Sequence, residues 1–180
     1  FGRNLNFWTA VYPKLREKFP EELGDIPLDR FYRIINDSKS SLIRIEADEL
    51  TYPIHVLIRY ELEKEIFETD VDVNELPKKW ADKYEEYLGI RPGTFREGIL
   101  QDVHWSGGSF GYFSSYALGS AYACQFYHAM CTEFNVEKEL RNGSFEKINT
   151  YLRENIHQYG KYKNPEELIM DTTKEKFNPN

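Results

Sequence analysis

The chain's 180 residues are enough to bury one sizeable hydrophobic core. A formal net charge of −7 with no basic patch excludes an extended surface for nucleic acid or an anionic membrane. No apolar run approaches the roughly 20 residues of a membrane span. The chain begins at Phe1 and ends on a polar run over 174–180, which suits a piece or processed product of a longer protein; no signal peptide is visible. Cys124 and Cys131 lie seven residues apart. On one helix this places their Cα atoms about 10 Å apart, beyond the roughly 7 Å that a disulfide spans, so reduced thiols and a cytoplasmic setting are expected.

The pattern predicts helices almost throughout. Residues 1–19 carry Leu5, Trp8, Val11 or Tyr12, and Leu15 at helical steps, with Pro13 as a kink or boundary and Pro20 as the end. Residues 28–35 offer a short helix with Phe31, Ile34 and Ile35 on one side. A turn follows at 36–40, and residues 40–45 read as a short strand or an undecided segment. From Ala47 to Phe67 the pattern is helical, with the stripe Leu50, Ile54, Leu57 or Ile58, Leu62 and Ile66; a start at Thr51 makes Thr51 the N-cap and puts Pro53 in the first turn, and an earlier start makes Pro53 a kink. Asn74 is the expected N-cap of the next, with Trp80, Tyr84, Tyr87 and Leu88 on one face. After a loop at 89–93 comes the stretch 99–126. Ser114 or Ser115 is the expected cap of a long helix whose first half is rich in Ala, Gly and Ser, which predicts central burial against close neighbours. Helices around Leu140, over 145–156 and from Pro165 complete a mainly α, helical-bundle fold with little or no β structure. No internal boundary separates two domains, so residues 1–180 read as a single all-helical region.

Chemistry concentrates in 99–126. Gln101, Asp102, His104, Trp105, Tyr112 and Tyr116 surround a bend containing Gly107, Gly108 and Gly111. Glycines let the backbone turn sharply, so these polar and aromatic side chains can converge on a ligand. Arg44 lies upstream, in IRIEAD. By itself it suits an ion pair with Asp48 or Glu46. A guanidinium is also the side chain best matched to a carboxylate, through paired N–H donors. His55, His128 and His157 show no pairing at metal-ligand spacing and read as core or surface residues. Trp105 reads as packing.

GILQDVHW over 98–105 and IRIEAD over 43–48 resemble the GxxQDxHW and IRxxAD signatures of the thermostable-carboxypeptidase family of zinc metallopeptidases. GRNLNFW, GYFSSYALG and LRENIHQYGKYKNPEEL are similar to that family as well. The resemblance covers most of the chain and implies the C-terminal part of a helical enzyme with a deep substrate groove. It implies a carboxypeptidase that takes peptides with a free C-terminus. The Zn2+ ligands of the HExxH and HES motifs lie outside this chain, so no metal ligand and no bound cofactor is expected within it, and the piece alone is expected to be inactive. Arg44 is then the expected ligand of the substrate carboxylate, with Asp48 orienting it and Gln101 and Asp102 lining the groove or orienting His104. His104 and Tyr112 or Tyr116 are the expected donors to the developing oxyanion, as in related helical peptidases such as angiotensin-converting enzyme and the thimet-type oligopeptidases. Tyr112 is preferred because Gly111 permits a bent approach. Ser114 stands where the family usually has proline, which loosens that loop. No membrane or nucleic-acid partner is expected, and surface left uncovered in a partial fold favours a homo-oligomer. Two other readings are a non-catalytic helical module that binds peptides or holds a dimer, and an endo-acting oligopeptidase on the same scaffold.

Overall fold

The structure, a computed structural model, describes residues 1–179. Among the described residues the secondary structure is helical, without a strand. The α-helices in chain order are α1 (Leu5–Lys18), α2 (Pro20–Leu23), α3 (Leu28–Ile35), α4 (Tyr52–Glu68), α5 (Leu76–Leu88), α6 (Ser114–Glu133), α7 (Val136–Asn142), α8 (Glu146–Asn155) and α9 (Pro165–Thr173). Contacts group the chain into two compact units, Asp37–Gly119 and the pairing of Phe1–Asn36 with Ser120–Asn180.

In the terminal unit, α1 runs through Pro13 uninterrupted. Pro13 and Thr9, whose carbonyl loses its N–H partner to the proline, are both exposed, so water can take the bond. Asn4 caps α1, its side chain accepting from the N–H of Asn6 at 2.7 Å and of Phe7 at 3.3 Å. The Asn4 amide in turn donates to Glu137 of α7, which also accepts from Asn6 and from the Tyr127 hydroxyl at 2.6 Å. These bonds, Tyr127 foremost, hold the Glu137 carboxyl below the usual range. Gly143 closes α7 at φ +67°, and a Cβ there would stand 3.4 Å from that of Ala10, so glycine serves both the left-handed turn and the approach of α1. Met130, Val136, Leu140, Ile148 and Tyr151 form the core.

The expected central burial of α6 does not occur. Met130 is its buried residue, while Gly119, Ser120, Ala123 and Cys124 are exposed. Small side chains permit close approach but supply little apolar area to drive it, and the larger Tyr127 and Met130 anchor the helix at its C-terminal end instead. Cys124 and Cys131 are free thiols, as their spacing predicts.

In the central unit the segment read as strand or undecided is an irregular stretch leading into a 3-10 turn over Arg44–Glu46. Helix α5 is preceded by a 3-10 turn capped by Asp72 rather than by the expected Asn74, and Gly89 ends it at φ +68°. Ile58 and Leu62 of α4 pack on Trp80, Tyr84 and Leu88 of α5, with Trp105 against them. Lys79–Glu65 and Lys83–Glu61 ion pairs flank the same interface.

Candidate functional site

Helix α4 presents an unusual face to the centre of its unit. His55, Arg59 and Glu63 follow one another at four-residue steps, which align side chains along one helical face, and all three are buried. The GxxQDxHW-like stretch packs onto this polar ladder. Gly98 is needed at its start because a Cβ there would meet the Thr94 carbonyl at 3.2 Å and the Pro92 ring at 3.5 Å. Three residues on, Gln101 satisfies its entire amide. Its oxygen accepts from the Arg44 backbone N–H and from Arg59 Nη2, both at 2.9 Å, and its nitrogen donates to the carbonyls of Leu42 (3.0 Å) and Glu97 (2.8 Å).

Asp102 is the next link. Its Oδ1 accepts from Arg44 Nε at 3.1 Å and Nη2 at 2.7 Å, and its Oδ2 from Arg59 Nε at 2.7 Å. The side chains of Arg44, Arg59 and Asp102 are 5%, 0% and 8% exposed. Burial alone pushes the Asp102 carboxyl up, but the bond from Arg44 and the charge of Arg59 outweigh it and hold the group ionised, below its ordinary range. Burial likewise pushes the Arg44 guanidinium down, and the Asp102 contact reverses the sign. Two guanidinium groups against one carboxylate leave this contact set one positive charge in surplus.

Asp48 does not orient Arg44, contrary to expectation. Its carboxylate accepts from Ser38 Oγ and the N–H of Lys39, and from the N–H groups of Leu50 and Thr51 and the Thr51 hydroxyl at the start of α4, at 2.8–3.0 Å. Thr51 holds the expected N-cap position of α4 without a side-chain cap bond, and Asp48 instead ties down the turn that precedes the helix. A carboxylate four residues after Arg44 has the donors of this turn nearer than the guanidinium, which turns inward to Asp102.

The deepest member is His55, fully buried, with Nδ1 3.0 Å from the Tyr84 hydroxyl. That hydroxyl also accepts from Arg59 Nη1 at 3.2 Å, while His55 Nε2 is buried with no hydrogen-bond partner. Burial, with the charges of Arg59 and Arg44, pushes the imidazole pKa down from 6.5 to about 4. Between these values the unfolded chain binds a proton that the folded chain refuses. Stability is therefore full above pH 6.5 and declines as pH falls toward 4, by at most about 1.4 kcal/mol per pH unit and about 3 kcal/mol in all. Urea unfolding at pH 7, 5.5 and 4 measures this, and His55→Phe is expected to flatten the dependence across that window. The carboxyls of Asp102 and Asp48, held low, add their losses only at more acid pH.

Trp105 donates from Nε1 to Glu63 at 2.8 Å and meets Trp80 edge-on, which confirms its packing role. His104 engages a different set of groups. Its Nε2 lies 3.1 Å from the Tyr116 hydroxyl, and its ring neighbours those of Tyr112, Phe113 and Tyr116. Nδ1 of His104 is buried with no hydrogen-bond partner. The Tyr116 ring in turn covers the Arg44 guanidinium at 4.8 Å, so Tyr116 touches both Arg44 and His104. Tyr112, after Gly111 at φ +74°, is 51% exposed and packs edge-on against Tyr116. Ser114 donates back to the Gly111 carbonyl at 3.1 Å instead of capping α6, tightening the bend where the resembling family has proline.

The structure thus brings Arg44, Gln101, Asp102, His104, Tyr112 and Tyr116 into one connected cluster and leaves Asp48 outside it. Arg59, His55, Glu63, Tyr84 and Tyr52 belong to the cluster or its support and were not singled out by the sequence patterns. The signal for three of them was the four-residue spacing of His55, Arg59 and Glu63 beside the apolar stripe of α4. Among the described residues no three His, Cys, Asp or Glu side chains converge as a metal ligand set, and no helix is long and apolar enough to cross a membrane.

Comparison with known proteins places these features in a family. All of residues 1–180 match the family described as carboxypeptidase Taq (M32) metallopeptidase. The chain is 52% identical over 178 residues to carboxypeptidase 1 of Bacillus subtilis, covering 98% of this chain and 36% of that protein. It is 41% identical to thermostable carboxypeptidase 1 of Thermus thermophilus, covering 97% and 34%. The crystal structure of an M32 carboxypeptidase from Deinococcus radiodurans superposes with a TM-score of 0.93 at 37% identity, over 99% of this chain and 36% of that one. The chain spans about a third of the length of the relatives it matches. The chain belongs to the carboxypeptidase Taq (M32) metallopeptidase family.

Proposed function

We propose that the intact protein is a zinc-dependent carboxypeptidase that releases single residues from the free C-termini of peptides, and that this chain supplies its carboxylate-binding and oxyanion-stabilising side chains. The observation that carries this reading is the continuity of the cluster: Tyr116 lies over the Arg44 guanidinium and bonds His104, with Tyr112 beside it. Arg44 holds the substrate carboxylate, using its surplus charge. Asp102, Gln101 and Arg59 hold Arg44 in place. Tyr112 donates to the oxygen of the scissile carbonyl as negative charge develops, and the Tyr116–His104 pair fixes the wall behind it.

On the same reading the metal ligands lie in parts of the intact protein outside this chain, and the chain alone is inactive. The same reading includes a cytoplasmic, homo-oligomeric enzyme. The test uses the intact protein with one peptide in two forms, free acid and C-terminal amide. The free acid is cleaved one residue at a time and cleavage stops on chelation, while the amide is spared. Equal cleavage of both forms marks an endo-acting oligopeptidase, and no cleavage of either marks a non-catalytic peptide-binding or dimerisation module.

A further inference from the structure

We infer that Tyr52 is a further substrate-binding residue, donating its phenolic O–H to the substrate's C-terminal carboxylate alongside Arg44; this rests on the carboxylate reading above. Tyr52 opens α4, and its hydroxyl accepts from Arg44 Nη1 at 2.8 Å. With its lone pair so used, its own hydrogen has no acceptor among the described residues. Of the five N–H groups of a guanidinium, Asp102 takes two of Arg44's and Tyr52 one, leaving two.

Position favours the same role. Arg44 is 4% exposed, whereas Tyr52 is half-buried, so an incoming carboxylate meets Tyr52 first. The Tyr116 ring lies over the Arg44 guanidinium and meets Tyr52 edge-on at 6.4 Å, which holds the phenol at the guanidinium's edge. An oxygen that accepts from Tyr52 is within reach of Arg44 Nη1, 2.8 Å from that hydroxyl. Two N–H groups and one O–H, with no acceptor among them, suit a carboxylate and disfavour a carboxamide, whose NH2 would face donors only.

The experiment uses the intact enzyme as wild type, Tyr52→Phe and Arg44→Lys. It measures KM and kcat on a free-acid peptide, and competitive inhibition by a dipeptide acid and its amide. Tyr52→Phe is expected to raise KM about tenfold with kcat within about twofold, and to shrink the acid-over-amide preference about tenfold. An unchanged preference, or a loss in kcat at constant KM, overturns the inference. A merely structural defect weakens acid and amide together, leaves their ratio unchanged, and also counts against it. If only Arg44→Lys collapses the preference, Tyr52 is excluded and the carboxylate reading stands. If Arg44→Lys keeps the wild-type preference, the carboxylate reading itself fails.

Discussion

Asp102→Ala is expected to destabilise the chain by about 3–5 kcal/mol, the loss typical when one partner of a buried ion pair is removed. The size follows from what remains. Arg44 and Arg59, 5% and 0% exposed, would face each other across the vacated carboxylate, each with N–H donors unsatisfied. Neither guanidinium can shed its proton to escape the cost. Gln101 cannot compensate, because its oxygen already serves Arg44 and Arg59. Asp102→Asn keeps the shape and an acceptor oxygen but no charge, and is expected to cost less than Asp102→Ala. Urea unfolding at pH 7, followed by tryptophan fluorescence, measures both: Trp80 lies over Arg59 and Trp105 lies beside Trp80, so the signal reports this region. A loss below about 1 kcal/mol for Asp102→Ala would mean that the network does not hold the unit together.

In the intact enzyme Tyr112→Phe is expected to lower kcat by about 10²–10³-fold with little change in KM, as removal of one oxyanion donor does. Tyr112 is the better candidate of the two tyrosines on geometry. Its side chain is half exposed and its hydroxyl has no hydrogen-bond partner among the described residues, whereas the Tyr116 hydroxyl is engaged by His104. Steady-state kinetics on one free-acid peptide separates them. A larger kcat loss for Tyr116→Phe than for Tyr112→Phe would transfer the donor role to Tyr116, with His104 as its partner.

The helical architecture was legible because apolar spacing and punctuation agree along most of the chain. Thr51 takes the N-cap position of α4 and Pro53 falls in its first turn, as the sequence implies. The motif residues were legible as a cluster for a similar reason: Gln101, Asp102 and His104 lead into a glycine bend in a stretch too polar for packing alone. What was not legible was their sorting. Adjacent residues serve opposite purposes here, with Gln101 and Asp102 turned to α4 and His104 turned to Tyr116. That division depends on Arg59 and His55, whose partners lie some 25 to 43 residues away in sequence. Asp48 was misassigned because sequence proximity to Arg44 suggested an ion pair, while the N–H groups of Leu50 and Thr51, just before α4, lay closer. The burial of α6 was misjudged because small residues record permission to pack, not the presence of a neighbour.

A crystal structure of the intact enzyme with a released C-terminal amino acid bound tests the assignment of Arg44 most directly. The expected result is the amino acid's carboxylate within about 3 Å of Arg44 Nη atoms, beside the Tyr52 hydroxyl and on the Tyr112 side of Tyr116. A carboxylate held by other cations, with Arg44 still closed on Asp102 and Tyr52 alone, would contradict it.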